Sequence, residues 1–255
     1  MHERKHEKRF WEIDSFRGIA IVMMITFHSF FDLYYLADHD IDVGKGPLFI
    51  LARSTATIFI FLVGLSLTLS HSKAVKKGLT RDEIVYKYLK RGLKIFSFGV
   101  LISAATWIFI PEGFVVFGIL HFIGVSIPLA YLFLRFEKVN LITGSVFIIL
   151  GFFIKNIKLE SPWFLWLGLK PVGFYTVDYF PLLPWFGVIL FGIYFGNLLY
   201  PNGKRTFDLP MWDDKISIKF ISFLGKHSLI LYIFHQPVII SLMLLSSIIE
   251  LNQFY

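Results

Sequence analysis

The 255-residue sequence contains no cysteine. That excludes disulfides, thiolate nucleophiles and thiolate metal ligands. Charge is scarce as well: 17% of residues are Asp, Glu, Lys or Arg, against about a quarter in soluble proteins. There is no Gly-rich phosphate loop, no Gly-x-Ser-x-Gly elbow, no His-Glu-x-x-His and no carboxylate pair at metal spacing, so no metal site is expected. A pI near 9.4 would suit nucleic acid, but no nucleic-acid module accompanies it. Linkers, low-complexity tracts and internal repeats are missing, so residues 1–255 read as one domain. The segment Met1 to Arg9 is too charged, and too far from a small-residue cleavage site, for a removable signal peptide. The first apolar segment is therefore expected to stay as a helix.

What is abundant is apolar. Hydrophobic residues make up 56% of the chain, with 30 Phe and 6 Trp, and mean hydropathy is +0.66. Apolar runs near 18–37, 48–70, 95–110, 114–134, 139–157, 181–199 and 228–249 each approach the ~20 residues that cross a bilayer. The expectation is an all-α, polytopic bundle of about seven transmembrane helices, with 95–134 a helical hairpin turning at Pro111-Glu112-Gly113. Lys and Arg set its orientation. Segments 1–17, 71–94, 135–138 and 200–227 hold twenty of the 25 basic residues. They are read as inner, with the N-terminus inside. Lys45, Arg53, Lys155, Lys158 and Lys170 remain outside. An integral membrane protein follows, with membrane lipid as a partner and homodimerisation left open.

Ionisable side chains inside membrane helices are expensive and mark function by default. The first run carries Arg17, His28 and Asp32. Eleven residues separate Arg17 from His28, three helical turns, and His28 and Asp32 form an i,i+4 pair. With Asp14 one turn below Arg17, the four make a polar stripe. His121 lies in Gly118-Ile-Leu-His-Phe-Ile-Gly124, Arg53 opens the second run, and Asp178 stands at the mouth of the sixth. His235-Gln236-Pro237 interrupts the last. Each has a plainer reading as a packing residue, an anchor or a cap. Thr80 and Glu83 form a capping box opening a short inner helix that presents Lys87, Lys90, Arg91 and Lys94. Lipid attraction or polyphosphate docking would use such a surface. Two functions suit the stripe: an enzyme fed through the bundle, or a proton-coupled small-molecule transporter, whose hallmark is also intramembrane His and Asp.

Glu12-Ile-Asp-Ser-Phe-Arg-Gly-Ile-Ala-Ile-Val-Met-Met-Ile-Thr-Phe-His28 resembles the opening of the heparan-α-glucosaminide N-acetyltransferase-like membrane family, in its short prokaryotic form. Phe59–Leu67, Phe117–Gly124, Asp178–Gly187 and Gly225–Pro237 extend the resemblance over nearly the whole chain. It implies acetyl transfer from cytoplasmic acetyl-CoA, as co-substrate, to an acceptor amine or hydroxyl, an amino sugar or glycan being the natural class. It also implies a catalytic histidine, which is either His28 or His39. His28 is favoured because it keeps the Arg-to-His spacing of the wider membrane acyltransferase superfamily and faces Asp32. Under this reading Arg17, Lys87, Lys90, Arg91, His235 and Gln236 hold the coenzyme, and Arg53, His121 and Asp178 position the acceptor.

Overall fold

The computed structural model describes residues 9–249, and in them it is all-α, as expected. Its helices are α1 (Trp11–Tyr35), α2 (Gly46–Lys76), α3 (Arg81–Phe109), α4 (Ile119–Tyr131), α5 (Lys138–Ile154), α6 (Leu182–Leu199), α7 (Ile216–Lys226) and α8 (Ser228–Leu245). Between α5 and α6, two short strands, β1 (Lys158–Leu159) and β2 (Lys170–Pro171), pair in parallel. Five helices, α1, α2, α3, α6 and α8, are long and apolar enough to cross a membrane. The apolar α4 and α5 have 13 and 17 residues, about 20 and 26 Å at 1.5 Å per residue. These seven helices correspond to the seven apolar runs.

Three boundaries differ from the expectation. The capping box is present, with the Thr80 hydroxyl accepting from Glu83 N–H and Glu83 accepting from Thr80 N–H. The helix it opens is not short, however. It continues through the inner segment as the 29-residue α3, because nothing between Arg81 and Phe109 breaks a helix. The fourth run begins to coil only at Ile119. Residues before it are extended and tied to the loop preceding α6, through Val177 N–H to Gly113 and Phe180 N–H to Phe117. Finally, 200–227 is not merely a loop. Apolar residues recur at helical spacing in Ile216-Ser-Ile-Lys-Phe-Ile-Ser-Phe-Leu, and they fold as α7.

The chain forms two compact units, one from residues up to 59 and from 209 onward, the other from 60 to 208. Helix α2 passes from the first into the second. In the first unit α7 packs on the foot of α1. Ser222 bonds Ser15 at 2.8 Å and the Trp11 carbonyl at 3.3 Å. A β-carbon at Gly225 would collide with the Asp14 carbonyl, so only glycine permits this backbone approach. α8 then returns along α1. His28 meets His235 and Asp32 meets Gln236, an order that rises on both helices. The two therefore run in the same sense, which needs an odd number of crossings from α1 to α8.

In the second unit α3 and α4 form the expected hairpin, α5 packs on α6, and the α2 backbone touches α6 at Gly64 and Gly192. Leu67, Phe122, Ile127, Phe186, Ile189 and Ile193 make its core. Leu93, Trp107, Phe153 and Leu245 stay exposed on their helices, the surface that acyl chains would cover.

The absence of cysteine makes topology directly measurable. In seven crossings the α2–α3 turn and the α5–α6 connection lie on opposite faces. Single variants Lys77→Cys and Val172→Cys, both at exposed positions, are expected to react with an impermeant thiol reagent from opposite sides. Labelling from the same side would remove an odd number of the crossings between them.

Candidate active site

Asp14 and Arg17 form the lowest polar layer of the first unit. Arg17 Nη1 donates to Asp14 Oδ1 at 2.8 Å, and Arg9 approaches the other carboxylate oxygen at 3.2 Å. Asp14 is buried, so the two cations compensate a charge that would otherwise be costly in that place.

Three turns higher stand two layers that join α1 to α8. In the first, the His28 and His235 rings lie edge to face, with centroids 4.7 Å apart and planes at 77°. Each ring is anchored through Nδ1 to a carbonyl of its own helix, His28 to Met24 at 2.9 Å and His235 to Tyr232 at 2.6 Å. A carbonyl accepts only, so in the neutral rings Nδ1 carries the hydrogen and Nε2 the lone pair. His28 Nε2 has no hydrogen-bond partner among the described residues.

In the second layer Gln236 donates its amide to Asp32 Oδ1 at 2.6 Å. This corrects the sequence reading, in which Asp32 oriented His28. Helical side chains lean toward the N-terminus. His28 thus reaches back to Met24, away from Asp32 one turn ahead, and Asp32 finds its donor on α8. Asp32 is only 2% exposed. Its Oδ2, Gln236 Oε1 and His235 Nε2 are buried without a hydrogen-bond partner among the described residues. All three are acceptors, and leaving such an atom unpaired costs about 1–3 kcal/mol. The site is built to receive donors.

Arg53, on the part of α2 in this unit, lies 5.2 Å from the Phe49 ring centroid. His39 is exposed in the turn after α1, its backbone N–H on Leu33 and its carbonyl on Ile41 N–H.

The second unit holds the other candidates. His121 is buried between α3 and α4, with Nε2 3.5 Å from Ser103 Oγ and its ring against Phe96 and Phe117. Asp178 Oδ2 accepts from Ile119 N–H at 3.0 Å, capping α4 rather than the α6 it precedes. Gly118 makes room, since a β-carbon there would strike this carboxylate. Burial pushes the Asp178 carboxyl up to about 6, opposed by the Ile119 hydrogen bond. On α3, Lys87 donates to the Ser70 carbonyl at 3.3 Å, while Lys90 and Arg91 are exposed.

Sequence reasoning found His28, Asp32, His235 and Gln236 but not their pairing, and it missed Ser15 and Ser222 entirely. The only signal for that last contact is the periodicity of α7.

A family model described as heparan-alpha-glucosaminide N-acetyltransferase, catalytic, matches residues 9–237, a span that includes every candidate named above. No curated protein and no solved structure matches the chain.

Proposed function

The chain belongs to the heparan-alpha-glucosaminide N-acetyltransferase catalytic family, an acetyltransferase family with membrane helices, and from that premise we propose that His28 is the base of an acetyl-CoA-dependent transfer to an amine or hydroxyl, on an amino sugar or other glycan. The observation that supports this most is the His28 ring, anchored at Nδ1 on Met24 with a lone pair left at Nε2. That is the form a general base requires.

The proton of the acceptor N–H or O–H passes to His28 Nε2 as the acceptor attacks the acetyl carbonyl. A new C–N or C–O bond forms, the C–S bond breaks, and His28 passes the proton from Nε2 to the departing thiolate, which returns the ring to its neutral form. Asp32 Oδ2, Gln236 Oε1 and His235 Nε2, which find no donor among the described residues, suit a hydrogen-bond-donating substrate held beside the ring. Lys87, Lys90 and Arg91 would neutralise coenzyme phosphates, Arg91 through bidentate contacts. Residues 1–255 act as one acyltransferase domain in this reading, resident in a prokaryotic cell membrane.

Purified protein is expected to gain thermal stability from acetyl-CoA and to transfer labelled acetyl to glucosamine-type acceptors. Charge-assisted hydrogen bonds contribute about 1.5–3 kcal/mol each. Lys90→Gln with Arg91→Gln should therefore weaken acetyl-CoA binding at least about tenfold, most at low salt. Unchanged affinity in folded protein would take these residues out of the site. No stabilisation and no transfer with the wild type would remove the coenzyme from the reading.

A further inference from the structure

We propose that α7 is an interfacial helix that docks on the anionic phospholipid headgroups of the leaflet where α1 begins. Its eleven residues extend about 16 Å, too short for the ~30 Å hydrocarbon core. Its depth is set by its partner. Contacts of Ser222 with Trp11 and Ser15, and of Gly225 with Asp14, hold α7 beside the first turns of α1. There α1 carries Asp14 and Arg17, the polar layer at which that span enters the membrane.

Around the helix, three faces separate at 100° per residue. Ser222 and Gly225 are buried on the face toward α1. Ile216, Phe220 and Phe223 lie together on another face and are 87%, 62% and 55% exposed. Between these faces Lys215, Lys219 and Lys226 form one exposed stripe. An apolar face edged by lysines suits a helix at the membrane interface, with acyl chains against the rings and ammonium groups reaching phosphate. Lys219 also meets Asp214 at 3.4 Å on the surface, an exposed pair that leaves the lysine ammonium accessible to phosphate. Lys215 lies 5.0 Å over the Trp212 ring, an aromatic suited to headgroup depth. The side chains on α7 thus fit an anionic lipid surface better than a second protein, which would have to bury the lysine stripe.

The test uses nitroxide labels on single cysteines at positions 217, 220 and 223 of the full chain in nanodiscs. Discs contain either phosphatidylglycerol with phosphatidylcholine or phosphatidylcholine alone. Labels at 220 and 223 are expected in the acyl region and accessible to oxygen, and the label at 217 less so. Removing phosphatidylglycerol should move the 220 label toward water. In the Lys215→Gln/Lys219→Gln/Lys226→Gln variant its depth should be the same in both lipids.

A 220 label in water in either disc would overturn the proposal. So would equal wild-type depth in both discs, which leaves apolar contact without headgroup recognition. Dipolar coupling between 220 labels of two chains would assign the face to a second copy instead. None of these outcomes depends on catalytic activity.

Discussion

Replacing His28 by Ala is expected to lower acetyl transfer by about 10²–10⁴, the usual contribution of a positioned base. His39→Ala should keep most of the activity. The two histidines make opposite demands on the fold. A base at position 28 stands in a membrane helix and must have its tautomer fixed, and the Met24 carbonyl does this. A base at 39 would work from an exposed turn, with no side chain among the described residues to orient it. Asp32→Asn should fall between them. It leaves an acceptor oxygen for Gln236 but removes the charge one layer from the ring. Labelled acetyl-CoA assays on the three variants, each confirmed folded by its elution and melting profile, decide the matter. If His39→Ala is the inactive one, the base lies in the loop and the α1–α8 layers serve architecture.

The largest loss of stability is expected at the α1–α7 seam. Gly225→Val puts a branched side chain where even a β-carbon meets the Asp14 carbonyl. Two backbones cannot relax as a side-chain tip can, so α7 must withdraw from α1. Overpacking usually costs about 1–3 kcal/mol and can cost more, and the withdrawal also strands Ser15 and Ser222, bonded to each other at 2.8 Å. Gly225→Val should show a clear drop in melting temperature in detergent. Lys226→Ala, one residue on and exposed, should stay near the wild type. Equal melting of the two would mean that the seam does not hold this unit together.

Much of this was legible in the chain because the physics behind it is local. Bilayer thickness translates into run length, so seven apolar runs became seven apolar helices. The Thr80–Glu83 box spans three residues and closed as read. The cost of an ionisable group in an apolar helix singled out His28, Asp32 and His235, with Gln236 the polar neighbour of His235. Helix ends were read less well. The 71–94 segment reads as an inner loop with one short helix, yet α2 reaches into it as far as Lys76 and α3 carries on through the rest from Arg81.

What the sequence by itself determined is therefore the membrane class, the approximate spans and the identity of the costly residues, since each follows from hydropathy and spacing along one helix. Only the tertiary structure decided the pairings. Gln236 takes Asp32 from 204 positions away, and Asp178 caps α4 from 59. Periodicity fixes which face of a helix a residue occupies, but not which other helix that face will meet. An i,i+4 spacing brought His28 and Asp32 to one side of α1. The lean of helical side chains and the arrival of α8 then gave them different partners.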